Sequence, residues 1–299
     1  MKKLVTLLAL TTAIASPVAA QEITEFNIGL LGGENAQDRL TSNECFRAYA
    51  EEALGVPVRL FTPADYNGVI QGMLGGTIDL AWLGASSYAA IHIADPEAAS
   101  PVLVKTNLDG SFNYHSIGFA RADSGISSLE DMKGKTFAFA DVNSTSGYLV
   151  PLVELPQQGY PMAEGEFFGK VVFSGGHEQS IIGVANGDFD AAVAWADAQG
   201  DWADGYNSGA FRRAADSGIV DMNDLVEIWR SSPIPEGPIT LRNALPQEVK
   251  DTIIELLGNL HEADPECAYG VAAGETAGFL PIAHEAYETI IAVRRSQMN

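Results

Sequence analysis

Residues 141–151 read D-V-N-S-T-S-G-Y-L-V-P and place three hydroxyls in succession: Ser144, Thr145 and Ser146. They follow Thr136–Ala140 (T-F-A-F-A), an apolar run that predicts a buried strand. They precede Gly147 and an apolar stretch able to start a helix. Strand, polar turn, helix start is a geometry that holds an oxyanion. The first backbone N–H groups of a helix have no partner inside it and sit at the positive end of its dipole. Hydroxyls at the cap and first turn aim further donors at the same point. The same residues also fit an ordinary helix cap at Asn143 or Ser144.

Ser144, His177 and Asp197 are the residue types of a hydrolytic triad. G-x-S-x-G is absent, however, and the serines lie in a polar helix start rather than a strained elbow. His177-Glu178 does not continue as H-E-x-x-H, and neither G-x-G-x-x-G nor G-K-[ST] occurs. A binding site uses the same residues more fully. Hydroxyls, N–H groups and a neutral or cationic His177 would hold an oxyanion, and Tyr66 could join them. Asp197 and Glu236, on loops able to face the same cleft, would meet an amine if the ligand carries one. Each also fits a plain surface charge.

The elements that must position these residues alternate. Strands are expected at Phe26–Leu31, Val56–Phe61, Ile78–Leu83, Val102–Lys105, His115–Ala120, Thr136–Ala140, Val171–Phe173, Phe189–Trp195 and Leu225–Trp229. Asp65 is expected to cap a helix over 67–74, Ser86 and Ser87 to cap the next, and Pro246 to Asn299 to be mostly helical. Strands alternating with helices indicate an α/β fold with largely parallel sheets. Ligands of such folds collect beyond the carboxyl ends of strands. The loops after Leu31, Phe61, Leu83 and Ala140 qualify.

Composition narrows the partner. The chain holds 17 basic and 39 acidic residues, which argues against nucleic acid, and long-range attraction will not deliver an anion. Local donors must hold one. Met1 to Ala20 reads as a secretory signal: Lys2 and Lys3, an apolar run from Leu4 to Ala15 too short to span a bilayer, and the small-residue site Val18-Ala19-Ala20. The processed chain would begin at Gln21, in the periplasm of a Gram-negative cell. An oxidising compartment makes a Cys45–Cys267 disulfide the default, against the alternative of two buried thiols; their spacing makes no zinc site.

Taken together, P-A-D-Y-N-G-V-I-Q-G-M at 63–73, D-L-A-W-L-G at 79–84, N-S-T-S-G-Y-L-V-P at 143–151, G-H-E at 176–178 and S-P-I-P-E-G-P-I at 232–239 carry a resemblance. The chain resembles the periplasmic phosphonate-binding proteins of ABC importers over nearly all of residues 21–299. The resemblance implies a two-lobed periplasmic binding protein of type II, each lobe a mixed, mostly parallel sheet flanked by helices, closing on ligand by a hinge. Lobe 1 is expected at 21–120 plus 233–299, and lobe 2 at 121–232. It also implies that Ser144, Thr145 and Ser146 hold the phosphonate oxygens with help from Tyr66 and His177. Asp197 falls on an amine-binding acid position. The second family acid would fall on Gly237, so Glu236 is offset by one, and Leu83 stands where the family often has a tyrosine. Trp195 could offer a ring face to a cation or simply pack in the core. The implied ligand is a phosphonate, 2-aminoethylphosphonate first, passed to a membrane permease. No cofactor, metal or catalytic residue is implied. A phosphite, phosphate or other alkylphosphonate receptor, or an exported hydrolase, is the alternative.

Overall fold

The computed structural model describes residues 23–298; the expected signal segment lies outside them. Two sheets organise the chain. The first takes β1 (Phe26–Gly29), β2 (Val58–Phe61), β3 (Leu80–Trp82) and β4 (Ala99–Thr106) from the N-terminal segment. The chain then crosses to the second sheet for β5 (Asn113–Arg121), β6 (Thr136–Phe139), β7 (Lys170–Phe173), β8 (Ala191–Ala196), β9 (Leu225–Arg230) and β10 (Ile234–Pro235). It returns for β11 (Pro238–Arg242) and β12 (Gly278–Pro281). The first sheet runs β12-β4-β11-β3-β1-β2. The second runs β10-β5-β8-β6-β7, with β9 beside β10 along the same edge of β5.

Parallel pairs occupy the βα halves: β2-β1-β3 in one lobe and β7-β6-β8 in the other. Antiparallel pairs lie where the chain enters and leaves each lobe. β5 pairs only with β8, β9 and β10 of the second sheet, so the change of lobe falls between β4 and β5, at residues 107–112, rather than at 121. The return falls at Glu236-Gly237, between β10 and β11, rather than at 233. At the first crossing the expected strand His115–Ala120 forms but belongs to the other sheet, because nothing in a crossing strand's own pattern says which sheet it joins; at the second, Ile234–Pro235 is a two-residue strand that the sequence does not announce.

The helices are α1 (Ala36–Leu54), α2 (Tyr66–Leu74), α3 (Ala85–Ala94), α4 (Val150–Gln157), α5 (His177–Asn186), α6 (Ala210–Asp216), α7 (Gln247–Ala263), α8 (Pro265–Ala272) and α9 (Glu288–Ser296). Asp65 caps α2 by accepting from the Gly68 N–H at 2.9 Å. Ser86 and Ser87 are not caps: α3 starts one residue earlier, behind Gly84, which leaves both serines in its first turn and fully buried. Phe26, Ile28, Phe46, Leu80, Leu241 and Leu257 centre the core of lobe 1; Ile117, Phe119, Ala194 and Phe211 centre one side of lobe 2. Burying side chains of this size contributes roughly 1.5–3 kcal/mol each. Cys45 on α1 and Cys267 on α8 are bonded, with Cα atoms 5.8 Å apart. No helix among the described residues is long and apolar enough to cross a membrane.

The lobes are closed on one another. Gly33, held at φ +81°, approaches Gly176 of lobe 2 so nearly that a Cβ on Gly176 would stand 2.1 Å from the Gly33 carbonyl oxygen. The Ser86 N–H donates to Thr145 Oγ1 at 2.8 Å, and Arg294 of α9 reaches both Ser86 Oγ (2.6 Å) and Asn143 Oδ1 (2.5 Å).

Candidate functional site: the cleft between the lobes

Five helix starts face the cleft, each after the carboxyl end of a strand: α1, α2 and α3 from lobe 1, and α4 and α5 from lobe 2. α4 is entered through a wide, π-type turn over Thr145–Leu149. Ser144 caps that turn, its Oγ accepting from the Gly147 N–H at 2.9 Å. The three hydroxyl residues are all buried, and all three line a cavity of about 120 Å³ between the lobes. Ser116 Oγ, on β5, donates to the Ser146 carbonyl at 2.6 Å and fixes the turn against the sheet.

Tyr66, at the first position of α2, and Tyr114, on β5, bring two phenols to the same end of the cavity. Burial, the largest cause, pushes both phenols up, so they remain protonated donors; nearby Glu34 and Glu236 add to this. His177 completes the wall, its Nε2 3.2 Å from Ser144 Oγ. Burial lowers its pKa to about 4, against a smaller upward pull from Glu34, so the imidazole is neutral at pH 7. Its Nδ1 has no hydrogen-bond partner among the described residues.

This end also carries charges that no sequence motif indicates. Arg39 and Arg213 line the cavity with Glu34 between them. Glu34 belongs to lobe 1 and Arg213 to lobe 2, and their ion pair spans the closure. Burial lowers the Arg213 pKa to about 10. Burial raises the Glu34 carboxyl, but Arg213 and Arg39 together overcome this and hold it below the usual carboxylate range. Two guanidinium groups against one carboxylate leave this end net positive.

The opposite end is different. Trp82, Trp195, Val271 and Phe279 form an apolar wall interrupted by Lys105 and Glu236. Lys105 Nζ donates to Ser208 Oγ at 2.7 Å, lies 5.6 Å over the Trp195 ring and is 3.7 Å from Glu236 Oε2. Trp195 therefore does face a cation, supplied by the protein itself. The Glu236 carboxyl is pushed up by burial and pulled down by Lys105. Its Oε2 is buried without a hydrogen-bond partner among the described residues. The offset of this acid has a steric reason: a Cβ on Gly237 would stand 2.0 Å from the Leu83 carbonyl oxygen.

The structure thus brings Tyr66, Ser144, Thr145, Ser146, His177 and Glu236 into the lining of one cavity, the first five at one end and Glu236 at the other. It does not bring Asp197 there. That residue is buried, but its N–H donates to the Ser208 carbonyl at 3.0 Å and its Oδ1 accepts from the Gln199 N–H at 3.2 Å. It acts on the cavity only through space, raising Glu236. Tyr114, Lys105, Arg39 and Arg213 were not anticipated; a tyrosine within a strand and three separated cations carry no local signal. Among the described residues no cluster of His, Cys, Asp or Glu could hold a metal ion.

The family model described as the ABC transporter, phosphonate, periplasmic substrate-binding protein matches residues 28–287. The chain belongs to this family. It is a solute-binding protein of a phosphonate importer, not an enzyme. The phosphate-import protein PhnD of Mycolicibacterium smegmatis is 30% identical over 231 residues, covering 76% of this chain and 68% of the relative. The phosphonates-binding periplasmic protein of Escherichia coli is 29% identical over 264 residues, 87% of this chain and 73% of that protein. Among solved structures, a binding protein component of an ABC phosphonate transporter from Pseudomonas aeruginosa superimposes with a TM-score of 0.78 at 26% identity, covering 92% of this chain and 86% of that one. The two-lobed type II architecture expected from the sequence is the fold these proteins share.

Proposed function

We propose that this protein captures a small phosphonate in the periplasm, with 2-aminoethylphosphonate as the ligand, and passes it to a membrane permease. The observation that carries the head-group assignment is the convergence of five hydroxyls, those of Tyr66, Tyr114, Ser144, Thr145 and Ser146, on one end of the cavity between the lobes. The helix starts behind them and the guanidinium excess of Arg39 and Arg213 over Glu34 make that end favourable for an oxyanion. Hydrogen bonds to a charged partner contribute about 1.5–3 kcal/mol each. Several of them exceed the cost of ordering ligand and lobes.

The tail assignment rests on polarity. At the far end Glu236 lines the cavity and pairs with one ammonium, Lys105, while a second carboxylate, the buried Asp197, lies behind it and pushes the Glu236 carboxyl up. A ligand anionic at one end and cationic at the other matches this arrangement, and Glu236 Oε2 has an acceptor position to offer its amine. The compact cavity and the cation already beside Glu236 favour a second reading, inorganic phosphate, which the name of the Mycolicibacterium relative also suggests.

Calorimetric titration with 2-aminoethylphosphonate, methylphosphonate, phosphite and phosphate separates them. The expected order places the aminophosphonate first and phosphate last. Phosphate binding tighter than every phosphonate would overturn the proposal.

A further inference from the structure

We propose that Lys105 sets the range of phosphonate tails this cleft accepts, by standing in for a ligand ammonium beside Glu236. This rests on the phosphonate reading above and concerns the opposite end of the same cavity.

Lys105 is a buried lysine near the end of β4. Its aliphatic stem comes from lobe 1, but Ser208 and Trp195, which hold its ammonium group, come from lobe 2. Closure therefore assembles an aromatic face, a hydroxyl and a carboxylate around a cation. Those are the components of an amine-binding site, and here the protein supplies the amine.

The geometry leaves that occupancy incomplete. At 3.7 Å the Lys105–Glu236 contact is an ion pair without a hydrogen bond, while Lys105 donates to Ser208 instead. The lysine neutralises Glu236 without saturating it. An aminophosphonate can therefore add its own N–H donors to Glu236 Oε2, with Asp197 balancing the second positive charge. A phosphonate without an amine brings no cation, yet it does not leave Glu236 buried and uncompensated, because Lys105 remains. Without the lysine, closing on such a ligand would strand a buried carboxylate, which is strongly unfavourable. Lys105 thus widens the ligand range to neutral-tailed phosphonates.

The test is a double-mutant cycle on the full chain, read by calorimetry with methylphosphonate and 2-aminoethylphosphonate. Ligand-free melting temperatures serve as the control for folding. The wild type is expected to bind the two within about tenfold of each other, the equivalent of ~1.4 kcal/mol. Lys105→Met should weaken methylphosphonate relative to the aminophosphonate by about tenfold or more, as a buried acid loses its counter-charge. Adding Glu236→Gln to that variant should restore methylphosphonate and remove the preference. Equal loss of both ligands in Lys105→Met, or no recovery in the double variant, would overturn the proposal while leaving the phosphonate reading intact. A wild type that binds neither phosphonate would defeat both.

Discussion

Thr145→Val isolates the contribution of one hydroxyl at nearly constant volume. Thr145 Oγ1 accepts the Ser86 N–H at 2.8 Å, and the two residues belong to different lobes. Only the closed state makes this bond; in an open cleft the Ser86 N–H reaches water. Valine would leave that buried N–H without an acceptor on closure, at a cost of about 1–3 kcal/mol. Because the loss falls on the closed state, it should appear almost wholly in ligand affinity, as a rise in Kd of roughly 5- to 150-fold. Any contact of the hydroxyl with the ligand adds to it. Calorimetry with methylphosphonate and 2-aminoethylphosphonate should report the same factor for both, since the defect lies at the shared end of the ligand. The ligand-free melting temperature should move little. A Kd within twofold of wild type, or a loss confined to one ligand, would refute this account of the head-group end.

Three further outcomes are expected. Gly176→Ala places a methyl group 2.1 Å from the Gly33 carbonyl oxygen across the closure. Gly176 itself is extended, a conformation alanine accepts, so binding should fall by roughly tenfold or more, as for overpacked sites, with unfolding of the ligand-free protein unchanged; titration and thermal melts check this. His177 has a folded pKa of about 4 against an ordinary 6.5, with burial the main cause. The unfolded chain therefore binds more protons between those values, so stability is full above pH 6.5 and is lost as pH falls toward 4, by an amount on the order of 3 kcal/mol. Denaturant melts across this range should be flatter in His177→Gln. Reduction of Cys45–Cys267 should cost about 2–5 kcal/mol of stability while changing ligand Kd little, since neither cysteine lines the cavity.

What could be read from the sequence was what is local. Thr136–Phe139, the Ser144 cap and the Asp65 cap each depend on a few adjacent residues, and the structure has all three. Strand ends were less legible, and Asp197 shows why. Trp195 faces the cavity, and strict alternation would send Asp197 the same way. But β8 ends at Ala196, and Asp197 turns to cap the Gln199 N–H instead. Acidic side chains compete for local backbone donors in this way once the ladder stops. β12 is four residues, G-F-L-P, too short to show a period, and it was absorbed into a helical reading. The cations were invisible for a different reason. Arg39, Lys105 and Arg213 lie on α1, β4 and α6, and nothing near any of them in the chain announces a carboxylate partner in the folded protein. The expectation that local donors, not long-range attraction, must hold the anion follows from the net charge of the whole chain. Two guanidinium groups set locally against one carboxylate do not register in that sum.

The cysteine bridge has a consequence for how this molecule fails. Lobe 2 is inserted between two stretches of lobe 1, and Cys45 and Cys267 lie on either side of the insertion, 222 residues apart. The bond makes the intervening chain a covalent ring that passes through both halves. A single protease cut within that ring opens it without releasing a fragment. A nicked receptor would keep its pieces tethered, and only a reducing agent or a second cut would let them part.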